Sequence, residues 1–116
     1  MSVRRVLPTR RGHTVIALAH AGRKYHIGFG QECDKAGVVI KPEVLEFFAD
    51  ARHTGTDFEA FLHDACIAMS LLVQHGCSSE MQVAAYGEHR NEGQERGAAS
   101  SIMGVIARMG VEIEKG

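Results

Sequence analysis

The sequence predicts a two-layer α+β domain: a three-stranded antiparallel meander followed by two or three helices packed on one face. Three observations carry this expectation. Residues Thr14 to Phe29 alternate with a period of two around an Ala21-Gly22 turn. Residues Thr54 to Cys77 instead repeat apolar side chains at three- and four-residue steps, the spacing of one helical face. The chain has 116 residues, 45% hydrophobic and 23% charged, which is enough for one core without disulfides or metal.

Residues Met1 to Arg11 hold four arginines and no acid. A stretch of this kind reads either as a basic arm for phosphate or an acidic partner, or as a solvated terminus. Residues 1–13 are assigned to this arm, 14–110 to the domain and 111–116 to a charged tail. In the first hairpin a two-residue turn sets Leu18 against Tyr25 and Ile16 against Ile27. These residues and Phe29 then share an apolar face, with Ala17, Lys24 and His26 on the other. Asp34-Lys35-Ala36-Gly37 has turn chemistry, and Val38 to Ile40 is a short strand or a packed loop. Glu43 to Ala49 reads as the third strand with Leu45, Phe47 and Ala49 inward; its shortness and paired phenylalanines favour strand over helix.

The long helix carries Phe58, Phe61, Leu62, Ala65, Cys66, Met69, Leu72 and Val73 on its apolar stripe. Glu59, His63, Asp64 and Gln74 fall mostly outside it. Thr56 with Glu59 makes a capping box, and Gly76 suits a left-handed C-cap. A second helix is predicted from Ser79, its cap, to Tyr86, with Gln82 in the capping-box position and Gly87 as its end. Glu88 to Gly97 is a polar loop. The last helix spans Ala98 to Met109, with Ile102, Val105, Ile106 and Met109 on one face, Gly110 as its stop, and Gly104 marking close packing.

Composition excludes several functions. Thirteen basic and fourteen acidic residues give a net charge of −1, a poor match to nucleic acid. No apolar run is long enough for a membrane span, and the N-terminus lacks a signal peptide's apolar stretch, so the cytoplasm is expected. Three cysteines without a C-x-x-C pair fit a reducing compartment.

The chemistry-bearing residues form no complete site. His75-Gly76-Cys77 offers two metal ligands, but zinc needs a second short pair or its equivalent, and none is present. Cys66 lies on the apolar stripe, where cysteine acts as a small hydrophobe. Cys77 follows a helix C-terminus, which does not activate a thiol. No phosphate-loop motif follows a strand. Arg10, Arg11, Arg23 and Lys24 are the candidate phosphate contacts near the hairpin. No cofactor and no catalytic residue is indicated.

One resemblance spans roughly Arg4 to Met109. Leu7-Pro8-x-Arg10-Arg11, a hairpin ending in Tyr25, the extended Glu46-Phe47-Phe48, and Asp64-Ala65-x-x-Ala68-x-Ser70-Leu71-x-x-Gln74-His75-Gly76 are similar to the TSCPD domain. That domain is appended to cobalamin-dependent ribonucleotide reductases and also occurs as small stand-alone bacterial proteins. Its name comes from a Ser-Cys-Pro-Asp run opening the last helix. Here the equivalent stretch is Ser101-Ile102-Met103-Gly104, so a thiol or metal role tied to that cysteine does not carry over. The Gln31 to Pro42 loop is longer than in stand-alone relatives.

The resemblance implies a non-catalytic accessory or regulatory domain that binds a protein partner, such as a ribonucleotide reductase. A homodimer is expected on a separate ground, the two open edges of a three-stranded meander. The alternatives are a nucleotide- or phosphate-binding module, a host-directed interaction protein if the chain is phage-encoded, and a metal or thiol enzyme using His75 and Cys77.

Overall fold

The computed structural model describes residues 11–51, 57–89 and 97–116. Three strands, β1 (Arg11–His20), β2 (Arg23–Cys33) and β3 (Val39–Ala51), form an antiparallel sheet in the order β1-β2-β3. Helices α1 (Asp57–Gln74), α2 (Ser79–Ala85) and α3 (Ile102–Glu114) follow. The α+β meander read from the sequence is the fold.

The first turn is enforced locally. Ala21 and Gly22 both have positive φ (49° and 80°), the geometry of a primed two-residue turn whose twist matches the flanking strands. It pairs Leu18 with Tyr25 and Ile16 with Ile27. Asp34 makes the second turn: its carboxylate accepts from Ala36 N and Val38 N, both at 2.9 Å, while Gly37 takes φ 82°. The β2–β3 register then shifts, because Gly30 opposes Glu46 but Gln31 opposes Val44. The extra residue in β3 lets Val44 and Leu45, adjacent in sequence, both be buried, which simple alternation forbids.

The core lies between the sheet and the helices. Tyr25, Ile27, Phe29, Leu45, Phe47 and Ala49 face Leu62, Cys66, Met69, Val73, Ile106 and Ala107. Phe29 and Phe47 meet edge-to-face at 5.9 Å. Both α1 and α3 pack over β3, so the helical layer is off-centre. At the far strand Ile16 and Leu18 are only half-buried.

Several expectations need correction. The first strand begins at Arg11, inside the stretch assigned to the arm. Residues 1–10 and the capping position Thr56 lie outside the described residues, as do 90–96 of the polar loop. The α2 cap is Ser78, whose hydroxyl accepts from Met81 N at 3.2 Å, and not Ser79, which is fully buried. Gln82 is therefore no capping-box partner. It is buried, donating to the carbonyls of Met69 (3.2 Å) and Cys77 (3.4 Å) and accepting from the Tyr86 hydroxyl (2.8 Å). The last helix starts later than predicted, with Ser101 as its cap, and Gly110 does not stop it. That glycine is buried mid-helix, and α3 runs on through most of the supposed tail to Glu114. The expectation for Gly104 holds: a Cβ there would come within 3.0 Å of the Ala99 Cβ.

Candidate functional site

Helix α1 carries the most informative surface. Its C-terminus is a Schellman turn, with Cys77 N bonded to Leu72 O (2.8 Å), Gly76 N to Val73 O (3.0 Å) and Gly76 at φ 95°. Termination thus accounts for the His75-Gly76-Cys77 run. Among the described residues no three His, Cys, Asp or Glu side chains converge as metal ligands.

The predicted apolar stripe is only partly the buried one. Leu62, Ala65, Cys66, Met69 and Val73 are buried, whereas Phe61 is 69% and Leu72 42% exposed. Two polar residues occupy core positions in their place. Ser70 accepts from Phe47 N at 2.8 Å and directs its own proton at the carbonyls of Cys66 (2.8 Å) and Phe47 (3.2 Å). Gln74, expected outside the stripe, is 3% exposed and donates to Leu45 O at 3.0 Å. A third contact comes from α3, where the Glu114 carboxylate accepts from Val44 N (2.8 Å) and the Ser79 hydroxyl (3.3 Å). Helix side chains therefore hydrogen-bond β3 backbone groups at Val44, Leu45 and Phe47 that β2 does not use.

The outward side of α1 is the reverse of an ordinary solvent face. Phe61, Ile67, Leu71 and Leu72 are exposed, with Ala60 and Ala68 among them. His63 and Asp64, 3.8 Å apart, are the polar pair in the middle of this face, and exposed His75 follows its C-terminal end. A helix apolar on both sides is a buried helix in most settings.

Among the described residues no helix covers the sheet's outer face, which is closed differently. Gly28 and Gly30 at its centre leave room for neighbouring side chains. A Cβ on Gly28 would fall 2.0 Å from the Phe48 ring, and one on Gly30 would fall 2.5 Å from Glu46 Cγ. Glu46 reaches across to His13 Nε2 at 2.9 Å, and the His13 ring sits edge-on to Phe48 at 5.1 Å. Among the described residues no hydroxyl or thiol is hydrogen-bonded to His13. The geometry of this His–carboxylate pair is that of side chains covering bare glycine backbone.

The basic residues singled out in the sequence are not brought together. Arg10 lies outside the described residues. Arg11 opposes Glu32 at one end of the sheet, while Arg23 opposes His20 at the other, nine strand residues and about 30 Å away. Lys24 alternates to the outer face. The Arg23 guanidinium stacks 4.2 Å above the Phe58 ring on the inner side.

Of the three thiols, Cys66 is buried and Cys33 and Cys77 are half-buried. Burial, reinforced by the Asp50 charge, pushes the Cys66 pKa up to about 11. A folded-state pKa above the unfolded value of about 8.5 gives stability that is present below pH 8.5 and lost as pH rises towards 11. Cys66→Ala should flatten that part of the alkaline decline in urea-unfolding stability. In the native wild type, a thiol reagent should reach Cys33 and Cys77 and spare Cys66 until unfolding.

Comparison of the chain with protein-family models, characterised proteins and solved structures finds no match. Among the described residues no helix is long and apolar enough to cross a membrane.

Proposed function

We propose that this chain is a non-catalytic accessory domain that docks a protein partner on the outward face of α1. The observation that carries the reading is the exposed set Phe61, Ile67, Leu71 and Leu72, on a helix whose opposite side already fills the core. Covering such a face removes apolar surface from water at about 25 cal/mol per Å². The polar residues beside it, His63, Asp64 and His75, are suited to orienting a partner more than to binding it tightly. A ribonucleotide reductase is the partner class that the resemblance to the TSCPD domain implies.

The double variant Ile67→Glu/Leu71→Glu tests this directly. Both side chains already meet solvent, so unfolding stability should change by no more than about 0.5 kcal/mol per site. Specific capture of a partner from the native host should be abolished. Recovery of no specific protein by the wild type, or equal recovery by the variant, overturns the reading.

Self-association is favoured by a separate observation, the contrast between the two sheet edges. The β3 edge is engaged by Ser70, Gln74 and Glu114. The β1 edge, Arg11–His20, has no proline and, from Gly12 to Ala19, no lysine, arginine or carboxylate side chain. Such an edge is a template for antiparallel pairing with a second copy. Light scattering should return twice the chain mass, and a monomer at all concentrations removes this second reading.

A further inference from the structure

A cavity of about 280 Å³ lies between the β1–β2 turn and the N-terminal ends of α1 and α3. Its walls are chiefly apolar, with Phe58, Leu62, Ile102 and Met103 prominent. His20 also lines it, and three further polar features interrupt the walls. Arg23 lines the cavity with its guanidinium stacked on Phe58. Tyr25 also lines it; this residue is 3% exposed, and its hydroxyl has no hydrogen-bond partner among the described residues. Burial raises the Tyr25 pKa, with Arg23 acting in the opposite direction, so the phenol is a neutral donor at ordinary pH.

The third feature is the first turn of α3, whose Ser100, Ser101, Ile102 and Met103 all border the cavity. Gly104 N is taken by the Ser101 hydroxyl (3.2 Å) and Val105 N by the Ser101 carbonyl (3.1 Å). Among the described residues no group takes the amides of Ile102 and Met103, the orphan donors of that turn. Arg23 supplies a positive charge to the lining, and no carboxylate belongs to it. The Tyr25 hydroxyl is not sealed from solvent, so it is open to water and to a ligand entering the cavity. Water would satisfy the donors but gain nothing from the aromatic and aliphatic walls.

We infer that this cavity is a binding site for a small carboxylate with an apolar body, an arylacetate or a medium-chain acyl carboxylate. The carboxylate accepts from Arg23, the Tyr25 hydroxyl and the opening amides of α3, while the apolar body packs on Phe58, Leu62 and Met103. At about 30 Å³ for each water-sized unit, the volume suits a molecule of about ten non-hydrogen atoms. Phenylacetate and octanoate are of that size.

The test is an amide-resolved NMR titration of the full chain with phenylacetate and octanoate, using phenylacetamide and octanamide as uncharged controls. Both carboxylates should give saturable shifts at Ile102 and Met103. The amides, and the carboxylates against Arg23→Gln, should bind about tenfold more weakly, the loss of a charge-assisted hydrogen bond. Tyr25→Phe should weaken binding about fivefold yet leave the melting temperature of the unliganded protein unchanged, because its hydroxyl has no internal partner to lose. Absence of saturable shifts, equal affinity for carboxylate and amide, or undiminished binding by Arg23→Gln overturns the assignment. So does a lowered melting temperature in unliganded Tyr25→Phe. The Ile67→Glu/Leu71→Glu variant should still bind both carboxylates, so failure of the partner reading and failure of this one are distinguishable.

Discussion

Gly110→Leu should lower unfolding stability by about 3 kcal/mol and the melting temperature by roughly 12 °C for a domain of this size. The argument begins with space. A Cβ at position 110 would stand 3.0 Å from Phe47 Cε1 and 3.3 Å from Ser79 Oγ, so a single added carbon is already tight. Phe47 cannot swing aside, because it is 3% exposed and held edge-on against Phe29. Ser79 is fully buried and hydrogen-bonded to Glu114. Three further carbons therefore have to force α3 away from β3, and the Glu114 contact with Val44 N goes with it. Gly110→Ala is the control. Its gain of about 1 kcal/mol in helix propensity offsets the squeeze, leaving a change near zero. Urea unfolding of the two variants checks both expectations; equal, small effects would show that α3 slides freely over the strand.

Gly110 also shows where the sequence was legible and where it was not. The hairpin register, the inward set Leu45, Phe47 and Ala49, and the Gly76 C-cap follow from local rules, since turn geometry and periodicity act over a few residues. A glycine after an apolar run obeys a local rule too, and that rule says stop. Whether it ends a helix or lets the helix touch a phenylalanine depends on a strand some 60 residues earlier, which periodicity does not encode. The Ser79 cap failed for a related reason. Ser78 and Ser79 are equal as caps in isolation, and only burial of Ser79 against Glu114 decides between them.

The candidate surfaces were less legible still. Read as one stripe, the apolar residues of α1 merge two faces, one buried in the core and one outward. Phe61 and Leu72 sit at three- and four-residue steps from true core positions, so spacing cannot separate them. The signal that could have done so is the excess: Ile67 and Leu71 lie outside the stripe and are apolar as well, more than one interface needs. The basic residues misled in the opposite sense. Arg11 and Arg23 flank one hairpin in sequence, but extended strands carry them to opposite ends of the sheet. The cavity at Tyr25 has no sequence signature, because it is made by three elements meeting.

Ser70→Ala should destabilise the fold by about 2 kcal/mol, although it replaces a polar residue on a hydrophobic helix face by a better helix former. The hydroxyl accepts from Phe47 N at 2.8 Å in a buried setting. Without it, that amide has neither β2 nor water as a partner, and a buried unsatisfied donor costs about 1–3 kcal/mol. Ser70→Thr retains the hydroxyl and should recover most of the loss, provided the added methyl fits beside Cys66. The outward pair Ile67→Glu/Leu71→Glu inverts the usual hierarchy, since removing apolar groups there should leave stability nearly intact. The comparison is therefore a test of how α1 is divided. If Ser70→Ala is harmless while the glutamate pair unfolds the domain, the helix has been assigned the wrong way round. If the serine matters and the glutamates do not, α1 holds the β3 edge with its polar residues and keeps an apolar face for something outside the domain.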